Sequence, residues 1–278
     1  MPFLKILRPF NCLFVAITVL FGALISNTVG HVVPLIFAVL SATFIAAAGY
    51  VMNDFFDLPI DKINRPYRML PAGKISPQSA YFYAVVLFML GILFSFLTQK
   101  FLCVGMAVFN SLALFYYAKF FKMKFLIGNL IVAYAAGSTF IFGGICNDNL
   151  INCLQISIYA FLFTLLREFI KDAEDSEGDL QFGASTLAVK LGSQKTVIVS
   201  LLPVLALIYY TFFNFQHDLM EIGTFKFLHI FVSVPLVFFF ILLLAKPQRR
   251  YFALTSTAMK LDMVVLMIIL WVGQYESL

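Results

Sequence analysis

Asp54, Asp57 and Asp61 stand at i, i+3 and i+7 within Asn53-Asp54-Phe55-Phe56-Asp57-Leu58-Pro59-Ile60-Asp61, directly after an apolar run. The spacing returns at Asp172, Asp175 and Asp179, again where an apolar run ends. On a helix, residues so spaced share one face. The chain is 62% hydrophobic and only 12% charged, so two such faces concentrate a scarce negative charge. Clustered carboxylates suit the holding of divalent cations.

Carboxylate oxygens are hard donors that match Mg²⁺. This ion sheds water reluctantly and is usually held by one or two carboxylates together with phosphate oxygens. Arg65, Arg68 and Lys171 lie close to the acidic stretches in sequence, and Lys122 lies in a separate basic junction. Their guanidinium and ammonium groups complement phosphate. Acidic faces plus nearby cations describe a clamp in which metal ions bridge protein carboxylates and a diphosphate.

The rest of the chain must position that clamp. It has 278 residues, 34 of them Phe, and a mean hydropathy of +0.95. Apolar runs of about twenty residues recur, each long enough to cross a hydrocarbon core of about 30 Å. The expected fold class is an all-α polytopic membrane protein. A β-barrel would show short alternating segments instead. Nine spans are expected, at 10–28, 32–53, 77–97, 101–118, 125–145, 151–170, 194–213, 224–245 and 253–273, around a central cavity opening to the cytoplasmic side. Residues 1–278 are expected to form one integral-membrane domain. The first run lacks a small-residue cleavage site and is expected to remain in place.

Charge sets the expected orientation. Of 19 basic residues, 17 fall in the N-terminal tail or in and beside the junctions after spans 2, 4, 6 and 8; Lys100 and Lys226 are the exceptions. Basic loops stay in the cytoplasm, so the N-terminus and the acidic junctions are expected there and the C-terminus outside the cell membrane. Nine of 14 acidic residues lie in the junctions after spans 2 and 6. Four spans separate the two acidic faces, a hint of a duplicated four-helix unit. The basic residues form no face with interleaved aromatics, which argues against nucleic acid despite the net charge of +5. No protein partner is implied.

Turn and cap signals fit this layout. Ser76-Pro77 reads as an N-cap and first turn for span 3. Pro59 starts or kinks a short helix. Residues 184–191 read as a short helix ended by Gly192, with Ser193 capping span 7. Cys146 and Cys153 flank one loop and could pair on an oxidising side; Cys12, Cys103, Cys146 and Cys153 read more simply as buried thiols.

A diphosphate ester with a long hydrocarbon tail would fit such a protein, head at the cytoplasmic mouth and tail between spans. If the ester is allylic, departure of diphosphate leaves a carbocation. Aromatic faces stabilise that cation without attacking it, and water must be kept out.

Asn53-Asp54-x-x-Asp57-x-x-x-Asp61 resembles the first aspartate-rich motif of the UbiA-type intramembrane prenyltransferases, and the span layout and second motif are similar too. Stretches 53–76 and 167–179, followed by 183–192, resemble the ether-lipid branch of that superfamily, the digeranylgeranylglyceryl phosphate synthases. The resemblance implies Mg²⁺-dependent transfer of a geranylgeranyl group from its diphosphate to the hydroxyl of geranylgeranylglyceryl phosphate, a lipid-like acceptor. It implies that Asp54, Asp57 and Asp61 bind one Mg²⁺–diphosphate face, assisted by Asn53, and that Asp172, Asp175 and Asp179 bind the other. It also implies that Tyr117 and Lys122, ahead of Gly128-Asn129, contact substrate, although Lys119 and Lys124 leave the register open. An aromatic or tetrapyrrole acceptor, as in quinone or chlorophyll-type synthesis, is the alternative. An ion transporter would need polar residues through the midplane, and these spans are mostly Leu, Phe, Val and Ile.

The remaining polar residues carry weaker expectations. Glu168, Glu174 and Glu177 read as supporting members of the second cluster. Tyr50 stands one turn before Asp54. Asp262 reads as a partner of Lys260, and Asn110, Asn129 and Ser138 as groups lining a cavity. His31, His217 and His229 are scattered and are given no role.

Overall fold

A computed structural model describes residues 1–25 and 32–276 of the chain. Among them the chain is helical throughout, with no strand. In order, the helices are α1 (Pro2–Ile6), α2 (Pro9–Leu24), α3 (Val32–Phe56), α4 (Leu58–Asn64), α5 (Pro77–Leu97), α6 (Phe101–Tyr116), α7 (Ile127–Cys146), α8 (Leu150–Gln181), α9 (Leu187–Leu191), α10 (Ser193–Val199), α11 (Leu201–Gln216), α12 (Ile222–Leu228), α13 (Val234–Ala245) and α14 (Arg249–Glu276). Two π-helical segments, Tyr117–Phe121 and His229–Ser233, follow α6 and α12 without a break.

Eight helical stretches among the described residues are long and apolar enough to cross a membrane. They are Val32–Phe56, Pro77–Leu97, Phe101–Phe121, Ile127–Cys146, Cys153–Gln181, Ser193–Gln216, Ile222–Ala245 and Arg249–Gly273, matching the second to ninth expected spans. The first corresponds to the shorter apolar helix Pro9–Leu24; its expected end at 26–28, and His31, lie outside the described residues. Large apolar side chains such as Phe82, Phe101, Leu202 and Phe238 are exposed, as lipid-facing positions require. The C-terminal stretch of α8 runs eleven residues past the expected boundary at 170, because the charged segment after it stays helical rather than turning into a loop.

The chain divides into two compact units. The first comprises Met1–Lys122 with Ser138–Leu154. Its core includes Val51, Met52, Ala84, Cys103 and Phe142. Helices approach closely here through small residues, as is usual where lipid supplies no hydrophobic drive for association. Ser41 Oγ of α3 donates to the Gly91 carbonyl of α5 at 2.7 Å, and any Cβ at Gly91 would collide with Ile45. A Cβ at Gly143 would strike the Val19 carbonyl of α2. Ser76 caps α5 as expected, its Oγ accepting from Ser79 N at 3.1 Å, with Pro77 in the first turn.

The second unit comprises Met123–Gly137 with Gln155–Leu278. Tyr159, Phe163, Leu187, Leu228, Phe252 and Met259 are fully buried in it. Ser157 Oγ donates to the Gly137 carbonyl at 2.9 Å, tying α8 to α7. The Tyr159 hydroxyl donates to Thr211 Oγ1 at 3.2 Å and accepts from Asn214 Nδ2 at 3.4 Å, satisfying a buried phenol. The short helix expected before Gly192 is present as α9. The cap of the next helix is Gly192 itself, not Ser193, because a φ of +81° at that glycine turns the chain directly into α10.

Candidate functional site

The first triplet spans a helix break. Asp54 lies in the last turn of α3, Asp57 is the N-cap of α4, and Asp61 lies inside α4. Pro59 has no N–H to donate to the turn before it, so α3 cannot run on as one helix. The pattern continues through the junction all the same: Asp57 N donates to the Asn53 carbonyl at 2.9 Å, and Asp61 N to the Asp57 carbonyl at 2.8 Å. All three aspartates therefore stay on neighbouring faces. All three are buried, at 7%, 8% and 4% relative exposure, a state aspartate reaches only when it is paired.

Each has a cation. Arg8 Nη2 donates to Asp54 Oδ1 at 2.5 Å. Arg68 Nη1 bridges Asp54 Oδ1 at 3.2 Å and Asp61 Oδ2 at 2.6 Å. Lys122 Nζ donates to Asp57 Oδ2, which also accepts from Asn53 Nδ2 at 2.8 Å. Three buried negative charges meet three positive ones. Such pairing is what a low-dielectric setting demands, since an unpaired buried charge would cost several kcal/mol.

Local structure explains how the cations arrive. Arg8 precedes Pro9 and adopts a left-handed conformation, φ +55°, away from the right-handed helical region that a following proline disfavours. Its guanidinium also lies over the Tyr50 ring, 5.3 Å from the centroid. Lys122 follows the π-helical segment, its N–H bonding the Tyr117 carbonyl at 2.9 Å. The wider π turn shifts the phase in which the chain leaves α6. Lys122 thereby reaches Asp57, while Lys119 lies over the rings of Phe115 and Phe120. Tyr117 opens the π segment, and Arg65 is the C-cap of α4.

The second triplet sits in the other unit, on the continuous helix α8, so its i, i+3, i+7 spacing does place it on one face. Asp172 Oδ2 accepts from Asn129 Nδ2 at 3.1 Å and from the Leu187 backbone N–H at 3.3 Å. Asp175 Oδ2 accepts from Lys171 Nζ, one turn earlier, at 2.8 Å. Asp179 Oδ2 accepts from Thr186 Oγ1 at 3.2 Å. Gly183, at φ +69°, lets the chain reverse after α8, and the Ala184 N–H bonds the Asp179 carbonyl at 3.0 Å. That reversal brings Thr186 and Leu187 back onto the acidic face. Glu168 pairs with Arg167 at 2.7 Å and Glu174 accepts from Ser256 at 2.8 Å, while Glu177 is exposed.

Two residues emerge that the sequence reading did not single out as site residues. In the sequence Arg8 reads as one of the basic residues of the N-terminal tail that set topology, although the Arg-Pro step marks a helix start. Thr186 carried no signal that spacing could expose. Asn129 was weighed only as a polar lining group, and its partner proves to be Asp172. Asn110 and Ser138, weighed likewise, bond each other at 3.1 Å in the first unit.

The donor set fits a hard divalent cation. Every side chain in the two triplets is a carboxylate, and Asn53 Oδ1 is a buried acceptor with no hydrogen-bond partner, a carbonyl oxygen of the kind Mg²⁺ or its water takes. Among the described residues, no three acidic, His or Cys side chains converge to enclose an ion unaided. A metal here would complete its shell with water and ligand oxygens.

Comparison with known proteins agrees with this chemistry. The chain matches the UbiA prenyltransferase family over residues 15–261. It is 39% identical over 215 residues to the digeranylgeranylglyceryl phosphate synthase of Sulfurisphaera tokodaii, covering 76% of this chain and 77% of that one. It is 44% identical over 200 residues to the synthase of the same name from Methanoculleus marisnigri, covering 70% of each. A solved structure of a digeranylgeranylglyceryl phosphate synthase superposes with a TM-score of 0.85 at 30% identity, over 99% of this chain and 98% of that one. A UbiA homologue from Archaeoglobus fulgidus bound to DMAPP and Mg²⁺ shares the fold, with a TM-score of 0.68 at 14% identity over 96% of this chain and 99% of that one.

Proposed function

The chain belongs to the UbiA prenyltransferase family, and on that premise we propose that it transfers a geranylgeranyl group from its diphosphate to the free hydroxyl of geranylgeranylglyceryl phosphate, forming an ether. The observation that carries the donor half is the pairing of Asp54, Asp57 and Asp61 with Arg8, Arg68 and Lys122. A cluster of matched carboxylates and cations offers the first to a metal and the second to a polyanion. The choice of acceptor rests on the relatives named for that reaction.

Asp54, Asp57 and Asp61, with Asn53 Oδ1, would hold one Mg²⁺, and Asp172, Asp175 and Asp179 a second. When bound, Mg²⁺ supplies Lewis-acid charge neutralisation of the diphosphate oxygens. Arg8, Arg65, Arg68, Lys122 and Lys171 orient those oxygens by charge-assisted hydrogen bonds, and Tyr117 contacts substrate beside Lys122. Matched spacing argues that the two triplets do the same kind of work, each holding a metal ion against phosphate oxygens. Aromatic and aliphatic side chains of the spans receive the hydrocarbon tails and keep water from the electrophilic carbon. We propose further that Pro9–Leu24 is the first of nine spans of a single domain, that the central cavity opens to the cytoplasm, and that the N-terminus and both acidic segments lie there; the basic-residue distribution supports this orientation.

The test is direct. Purified protein is incubated with geranylgeranyl diphosphate, Mg²⁺ and either geranylgeranylglyceryl phosphate or an aromatic acid acceptor. Ether formation with the glycerophosphate acceptor is expected. Product with the aromatic acceptor alone would reassign the chain to another branch of the family.

A further inference from the structure

The sequence offers Cys146 and Cys153, on either side of one loop, as a pair. The structure gives them different partners. Cys153 Sγ donates to the Leu150 carbonyl at 3.0 Å. Cys146 Sγ instead lies 3.3 Å from Cys103 Sγ, a residue 43 positions earlier, and neither has any exposed surface. Cys103 sits in the first turn of α6 and Cys146 is the last residue of α7, so the two sulfurs join the ends of two different spans inside the first unit. A second link closes the same ends: Lys100 Nζ reaches both carboxylate oxygens of Asp148 at 2.7 Å. With the helix ends so held, closing the sulfurs to the bonded distance of about 2.05 Å needs a movement of about 1.3 Å.

We propose that Cys103 and Cys146 are a disulfide-forming pair that staples α6 to α7 at the end of α6 away from the Lys122–Asp57 contact. In the step, each thiol loses its proton and one new S–S bond forms. The two electrons released reduce the disulfide of an exchange partner, a thiol oxidoreductase or a small-molecule disulfide, to two thiols. The orientation proposed above puts this end on the non-cytoplasmic side, where disulfides persist. Because both sulfurs are buried in the folded protein, exchange occurs before the helix ends dock, or through an oxidant small enough to enter.

Full-length protein in detergent is oxidised with diamide or kept reduced with dithiothreitol, then denatured, alkylated, and cut with an endoprotease specific for lysine. Cys103 then falls in peptide 101–119 and Cys146 in peptide 125–171. After oxidation the two peptides are expected as one disulfide-linked species that reduction separates. The species is expected to vanish in Cys103→Ser and in Cys146→Ser and to persist in Cys153→Ala. Alkylation of both cysteines in the oxidised wild type would overturn the proposal. So would a link that survives Cys146→Ser and is lost in Cys153→Ala.

Discussion

Arg8 Nη2 lies 2.5 Å from Asp54 Oδ1, across 46 positions of sequence. The residue before the first long helix thus closes onto the last turn of the next one. Asp54 keeps a second cation in Arg68, so loss of Arg8 weakens the site without leaving the carboxylate bare. A hydrogen bond to a charged group contributes about 1.5–3 kcal/mol. Arg8→Ala is therefore expected to lower kcat/KM roughly 10- to 100-fold. Arg8→Lys restores the charge without the planar guanidinium that also lies over Tyr50, and is expected to recover only part of it. Steady-state kinetics with varied prenyl diphosphate checks both.

Lys122 and Lys119 make a sharper comparison, because they are three positions apart and only one meets an aspartate. Lys122→Met is expected to cut turnover by more than about tenfold. Lys119→Met removes cation–π contacts to the exposed Phe120 ring and the half-buried Phe115 ring and is expected to stay within about twofold of wild type. Equal losses in the two variants would contradict the assignment of Lys122 to Asp57.

Removing a carboxylate should be more damaging than removing a cation. Asp54→Ala or Asp175→Ala is expected to abolish measurable turnover while the helical circular-dichroism signal is retained. EDTA is expected to abolish wild-type activity and added Mg²⁺ to restore it. Near-normal activity in either variant would sink the metal role of that triplet.

The close approach of α3 and α5 makes a prediction about stability alone. Gly91→Leu would drive a side chain into Ile45 and the Ser41 carbonyl, at a cost of roughly 1–3 kcal/mol. Gly105→Leu meets open space and is expected to be neutral. A thermal-unfolding comparison in detergent, with activity as a secondary readout, distinguishes the two.

Much of this arrangement was readable from residue types. Carboxylate spacing survives folding on α8 because nothing in 150–181 interrupts a helix, and apolar run length marks spans because lipid permits few alternatives. The first triplet was also legible, although Pro59 breaks the helix beneath it, because hydrogen bonding resumes within a turn. What stayed hidden depends on local departures from α geometry. The π turn at Tyr117–Phe121 changes which lysine leads toward Asp57, and no 3.6-residue count from α6 can supply that phase. The positive φ at Arg8 aims a side chain that composition classes with ordinary topology residues. The Cys103–Cys146 approach depends on the start of one span meeting the end of another, information absent from the spacing of any one loop.

The internal neutralisation of Asp54, Asp57 and Asp61 has a consequence for ligand entry on the proposed reading. Loading is an exchange and not an addition. Each aspartate that turned to a metal ion would release a cation, and each released cation would be left to receive a phosphate oxygen. The local sum of charge scarcely changes, so a highly charged headgroup can enter and its diphosphate product can leave at the edge of a greasy interior without either state being trapped. The affinity measured for such a ligand reports the difference between two sets of ion pairs, and a modest value would be compatible with many strong contacts.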